Sequence, residues 1–175
     1  HKTRLRIYQE CQRISEKQAV FDRSILSDEA GRKRTGKVKT TLVLDACALI
    51  AFLNDESGAD VVENLLVRAD ADDVELIMNV INLLEIYYGV YREDGPDLGD
   101  EILEKINDLP IKIIDSFSSE LFREAGRLKA TWRISLADAI AVAEANIREA
   151  YIVTADHHEL DELDRAREAN IYWIR

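Results

Sequence analysis

Only two cysteines occur among the 175 residues. Cys11 and Cys47 stand in unrelated contexts, so there is no disulfide framework and no Cys-x-x-Cys metal or redox pair. That usage fits a reducing cytoplasm. Long apolar runs are missing too: the longest, Ala46 to Leu53, is too short to cross a bilayer and is not placed as a secretory leader. A membrane is therefore not an expected partner, and neither a targeting signal nor an internal repeat is visible. Basic charge is scarce, with 23 Lys+Arg against 34 Asp+Glu and a net charge of -11. What is plentiful is a hydrophobic fraction of 47% beside 33% charged residues, which describes a soluble globular chain long enough for one domain with a real core.

The charge is unevenly spread. Residues 1–37 carry 10 Lys+Arg and 5 Asp+Glu, leaving 13 and 29 for residues 38–175, so the leading segment is near +5 and the rest near -16. An acidic domain is a poor general binder of nucleic acid, whose phosphates call for Lys and Arg. Excess carboxylate points instead to bound cations, to a basic protein partner, or simply to a solvated surface. Residues 1–37, with an imperfect apolar stripe through Leu5, Ile7, Ile14 and Phe21 and a Gly/Arg/Lys-rich end, read as a basic extension or linker. The chain opens on His1 and a compact α/β domain can start at Val38, so 1–37 are expected to be an appendage to a domain over 38–175, or else a basic arm.

From residue 40 the pattern alternates between apolar runs and amphipathic stretches, which predicts a parallel sheet covered by helices on both faces. Strands are expected over Thr40 to Leu44, Val74 to Asn79, Ile111 to Asp115, Tyr151 to Val153 and, at an edge, Ile171 to Ile174. Helical spacing follows each of the first four. One such helix carries Leu121, Phe122, Ala125, Leu128 and Trp132 after a cap at Ser118 or Ser119.

Acids stand at telling places on this scheme. Asp45 ends the first strand, where ligands of open α/β sheets bind. Glu85 is the only charge between Val80 and Val90, and burying an unpaired carboxylate is expensive unless a cation stands beside it. Asp138 lies in the apolar stretch from Leu136 to Ala143, and Asp156 follows the fourth strand. Each has a purely structural use. Asp45 can be a helix N-cap, Ser135 with Asp138 resembles a capping box, and Asp156 can be an N-cap answered by Glu159. Taken together, four acids at the carboxyl ends of parallel strands suit Mg²⁺ or Mn²⁺ and metal-assisted phosphodiester or phosphate chemistry.

The segments LVLDACALIAFLNDE, NVINLLEIYYGV, ISLADAIAVAEA and IVTADHHELDEL, in this order and followed by IYWIR, resemble the PIN domain, and closely the toxin ribonucleases of the virulence-associated protein C (VapC) type. The resemblance covers about Lys39 to Arg175. It implies a PIN-like, Rossmann-like α/β/α sandwich around a central parallel sheet of about five strands. It also implies a metal-dependent endoribonuclease, the toxin of a type II toxin–antitoxin system, cleaving single-stranded RNA with a metal-activated water. The family's acidic positions fall on Asp45, Glu85, Asp138 and Asp156, and its hydroxyl position on Thr154. By the resemblance, Asp45 and Asp138 bind Mg²⁺ or Mn²⁺ directly, Glu85 binds it or orients water, Asp156 completes the site, and Thr154 hydrogen-bonds a ligand or water. A cognate antitoxin that occludes the carboxylates with Arg or Lys, and homodimerisation, are implied in the same way.

Other residues read more plainly. Asn82 is expected at a helix start, with substrate contact as the other use. His157 and His158 suit the solvated first turn of a helix better than proton donation. Cys47 has no base beside it and is expected to be a small buried residue. Tyr87, Tyr88 and Tyr91 fit packing better than base stacking, and Glu159, Asp161, Glu162 and Asp164 a solvated face. A dehalogenase-type phosphatase needs an acid where Cys47 stands, and a receiver domain needs an acidic pair and a lysine that are not evident. The alternative of a different class is a non-catalytic PIN-like scaffold or RNA-processing subunit that works by binding.

Overall fold

The computed structural model describes residues 39–175; the reading of residues 1–37 lies outside them. Five apolar runs become strands: β1 (Thr40–Leu44), β2 (Val74–Asn79), β3 (Lys112–Ile114), β4 (Tyr151–Thr154) and β5 (Asn170–Trp173). All are parallel and lie in the order β3-β2-β1-β4-β5. Because successive side chains point to opposite faces, each central strand feeds two cores. Leu42 and Leu44 of β1, Val74, Leu76 and Met78 of β2 and Val153 of β4 face one. Val43, Ile77 and Ile152 face the other. Seven helices cover the two faces: α1 (Ala46–Leu53), α2 (Ala59–Asp70), α3 (Val80–Asp94), α4 (Pro96–Asn107), α5 (Ser119–Thr131), α6 (Leu136–Ile147) and α7 (His157–Ala166). The first four bury Leu49, Leu65, Ile86 and Ile102 in the first core; α5, α6 and α7 bury Leu128, Val142 and Leu160 in the second. The result is the expected α/β/α sandwich. Each fully buried Leu or Ile contributes roughly 1.5–3 kcal/mol.

The strand order positions the site. From β1 the chain moves outward to β2 and β3, then returns across the sheet to β4 and β5 on the other side. The reversal leaves a crevice outside the carboxyl ends of β1 and β4. Asp45 follows the first end directly, and Asp156 follows the second after Ala155.

Boundaries shift little from expectation. The third strand is Lys112–Ile114 rather than 111–115, and the edge strand is Asn170–Trp173 rather than 171–174. Phe122 departs further: it shares the expected apolar stripe of α5 but is 69% exposed, edge-on to Phe117 at 6.3 Å between centroids. Asn82 lies in the first turn of α3, at the helix start as expected, but is not its cap: Asn79 is the N-cap, and its side chain accepts from the Ile81 N–H at 3.0 Å.

Candidate metal centre

Asp45 is completely buried at the end of β1. Its N–H donates to the Val153 carbonyl of β4, fixing it at the crevice. As the N-cap of α1 it accepts the Ala48 N–H on Oδ1 at 2.7 Å, so the capping use is real. Capping occupies only that oxygen; Oδ2 is buried without a hydrogen-bond partner. Burial pushes its pKa up from 3.8 to about 7, against the Thr154 hydroxyl and the Ala48 N–H, which lower it, and with the charges of Asp138 and Asp156 adding to the rise. Thr154 is itself fully buried at the end of β4.

Asp138 stands one turn into α6. The N-cap Ser135 accepts the Asp138 N–H at 3.0 Å, and its hydroxyl donates to Asp138 Oδ2 at 2.5 Å. Burial raises the Asp138 pKa; Ser135 lowers it, and the charges of Asp156 and Glu159 raise it further. Asp156 caps α7, accepting the Glu159 N–H on Oδ1 at 3.0 Å, while its own N–H donates to Thr154 Oγ1 at 2.9 Å. Glu85 comes in from α3, half-buried. Its pKa is raised by burial and then by the Asp138 charge, against a hydrogen bond from the Tyr88 hydroxyl. The Asp138 and Asp156 charges thus act on Asp45 and on Glu85, and that of Asp156 on Asp138, and among the described residues none of the four forms an ion pair with Lys or Arg.

Such a cluster is unfavourable by itself. Like charges in a poorly solvated crevice repel, and an unpartnered buried carboxylate oxygen forgoes its hydration. A hard divalent cation relieves both, and an all-oxygen donor set fits Mg²⁺ or Mn²⁺. Among the described residues no three His, Cys, Asp or Glu side chains are drawn tightly enough together to enclose an ion unaided. Water would have to complete the coordination, as Mg²⁺ ordinarily requires.

The PIN domain family model matches residues 42–166, a span that holds all four acids and Thr154. The chain belongs to the PIN domain family. Solved structures with this PIN fold include a DNA-bound VapBC from Salmonella typhimurium, with a TM-score of 0.60 at 16% identity over 78% of this chain and 99% of that one. VapBC2 from Rickettsia felis, bound to a promoter DNA fragment, gives 0.61 at 19% identity over 77% and 98%. VapBC-1 from nontypeable Haemophilus influenzae gives 0.58 at 18% identity over 77% and 98%. No curated protein sequence matches the chain. No helix among the described residues is long and apolar enough to cross a membrane.

The remaining side chains are disposed as follows around this PIN centre. Cys47 is half-buried, and burial with the Asp45 and Asp156 charges pushes its thiol up to about 11, far from a nucleophile. His157 stacks on Trp173 at 4.0 Å, with its ring nitrogens on Asp161 and the Arg175 carbonyl; the His158 side chain is 93% exposed. Tyr87 donates to Asp100 on α4, and Tyr88 and Tyr91 are nearly half exposed. Two residues stand in surroundings that the sequence reading did not foresee. Asn82 is completely buried, donates to the Ala137 carbonyl beside Asp138 at 3.2 Å, and keeps an unpartnered Oδ1. Glu159 belongs to no solvated face: its Oε2 accepts the Ser135 N–H at 2.9 Å. Its spacing of three from Asp156 was the available signal, and it pointed to the wrong helix.

Proposed function

We propose that the chain is a Mg²⁺- or Mn²⁺-dependent endoribonuclease, the toxin of a type II toxin–antitoxin pair. The observation that carries this reading is Asp45, completely buried with one oxygen unpartnered and facing the charges of Asp138 and Asp156. Asp45 and Asp138 would hold the cation, with Asp156 completing the donor set and Glu85 either joining it or orienting a water. When bound, the ion supplies charge neutralisation at the scissile phosphate and a water of lowered pKa. The protein's own part is to position and to exclude water. The Ala48 N–H fixes Oδ1 of Asp45, Thr154 stands near enough to lower that carboxyl's pKa, Ser135 fixes Asp138, and half-buried Glu85, whose pKa is raised, can take a proton on its carboxylate.

The fold likeness to VapBC structures supports a protein antitoxin as partner, with Arg or Lys filling the acidic crevice. Homodimerisation and a cytoplasmic location belong to the same reading, as does a domain over 38–175 preceded by a basic extension. The test is incubation of the full chain, freed of any partner, with a pool of structured RNAs in Mg²⁺ or Mn²⁺, in EDTA, and as Asp138→Asn. Cleavage that needs the metal and falls by at least about 100-fold in the variant is expected, the size of loss typical when a metal's support is removed. Equal cleavage by the variant refutes the site. Metal binding without cleavage of any RNA replaces the nuclease by a binding scaffold.

A further inference from the structure

Two motifs with capping-box spacing open the helices that flank the crevice: Ser135-x-x-Asp138 at α6 and Asp156-x-x-Glu159 at α7. In a closed box the side chain three residues on returns to the N–H of the cap residue. Here both return bonds come from elsewhere. The Asp156 N–H is taken by Thr154, which frees Glu159 from its own helix, and the freed Glu159 crosses to α6 and accepts the Ser135 N–H at 2.9 Å. Asp138 is the local competitor for that N–H. It already draws weakly on that N–H, while its Oδ2 accepts the Ser135 hydroxyl at 2.5 Å.

The arrangement has a drawback that needs an explanation. Glu159 is only 25% exposed and adds its charge to those already opposing Asp138 and Glu85. Asp138 could close the box without it. The two arrangements differ in how much of Asp138 is committed to Ser135: a closed box takes the carboxylate onto the N–H as well as the hydroxyl, and an open one engages only Oδ2, on the hydroxyl.

We infer that Glu159 is a positioning residue, holding the Ser135 N–H so that Asp138 is tied to Ser135 through Oδ2 alone and keeps Oδ1 for a cation in the crevice. The inference rests on the reading of that crevice as a metal centre. Removing the acceptor lets Asp138 take the Ser135 N–H as well as the hydroxyl; removing only the charge does not, because a glutamine oxygen accepts the same N–H.

The experiment measures Mn²⁺ binding to the full chain by electron paramagnetic resonance for the parent, Glu159→Ala and Glu159→Gln. The alanine variant is expected to bind roughly 10- to 100-fold more weakly, the loss usual for a residue that orients a ligand, and glutamine to restore most of it. Parent-like binding by Glu159→Ala, or equal losses in both variants, overturns the inference, the latter because charge alone would then explain the effect. A metal-free arm decides separately. In EDTA, Asp138→Ala should lower the Tm more in the Glu159→Ala background than in Glu159→Gln, since only in the former has Asp138 become the cap partner; both lack charge at 159. Equal changes in the two backgrounds overturn it. Failure of the parent to bind Mn²⁺ overturns the metal reading and leaves the metal-free arm to judge Glu159.

Discussion

Replacing Asp45 by Asn should make the metal-free protein more stable at pH 8 and not at pH 5. In the unfolded chain the carboxyl loses its proton near 3.8, while in the folded protein it keeps it until about 7. Between those values the folded state holds more protons, so every unit of rising pH weakens folding. The stability present below the unfolded pKa is lost as pH climbs through the folded one. At about 1.4 kcal/mol per unit, the ionised carboxylate at pH 8 costs roughly 4 kcal/mol. Asparagine keeps an oxygen for the Ala48 N–H and removes the charge, but it puts a buried NH₂ where Oδ2 has no partner, at roughly 1–3 kcal/mol. The net gain at pH 8 is about 1–3 kcal/mol, a Tm rise of roughly 2–10 °C for a chain of this size. At pH 5 the parent's carboxyl is already neutral, and the variant should be equal or slightly less stable. Thermal melts in EDTA at both pH values, at one ionic strength, measure this. A variant destabilised as much at pH 8 as at pH 5 would refute the argument. Added Mn²⁺ should raise the Tm of the parent and leave Asp45→Asn where it was.

Two further outcomes test the scaffold. Gly58 has a φ of +89°, and a Cβ there would meet the Ile174 carbonyl oxygen at 2.6 Å, so Gly58→Ala should lower stability by roughly 2–4 kcal/mol in urea unfolding. Arg148 pairs with Glu144, whose side chain is 1% exposed and also accepts from Asn79. Arg148→Ala should destabilise by roughly 1–3 kcal/mol because it strands that carboxylate, the partial exposure of Arg148 tempering the loss, whereas Arg148→Ala combined with Glu144→Leu should recover part of it. Urea midpoints at unchanged m-value would show both; no recovery in the double variant would mean that the pair is not what stabilises this end of α6.

Much of this could be read along the chain. The run Val74–Asn79 forms a strand with the expected ends, and Ser118 and Ser135 cap the helices they were expected to cap, because side-chain sterics and the unsatisfied first N–H groups of a helix are settled within a few residues. The order and types of the four acids are likewise fixed by the chain, since each follows a strand whose apolar pattern is local. What local pattern does not contain is which distant surface covers a face or takes a hydrogen bond. The stripe that includes Phe122 has helical period, yet among the described residues that ring meets the edge of Phe117 and stays 69% exposed. Asn82 is three residues from the true cap and is instead sealed against the Ala137 carbonyl of another helix. Glu159 has the spacing to serve Asp156, but it serves Ser135, 24 residues away, because α6 leads into β4 and α7 leaves it, so that β4 carries the chain back to the end of the sheet where α6 starts. The sequence by itself therefore determined the elements, their order and the carboxylates that end them. Tertiary structure alone decided that Glu159 left the start of its own helix to take the Ser135 N–H of another, because only the folded sheet brings the two helix starts together.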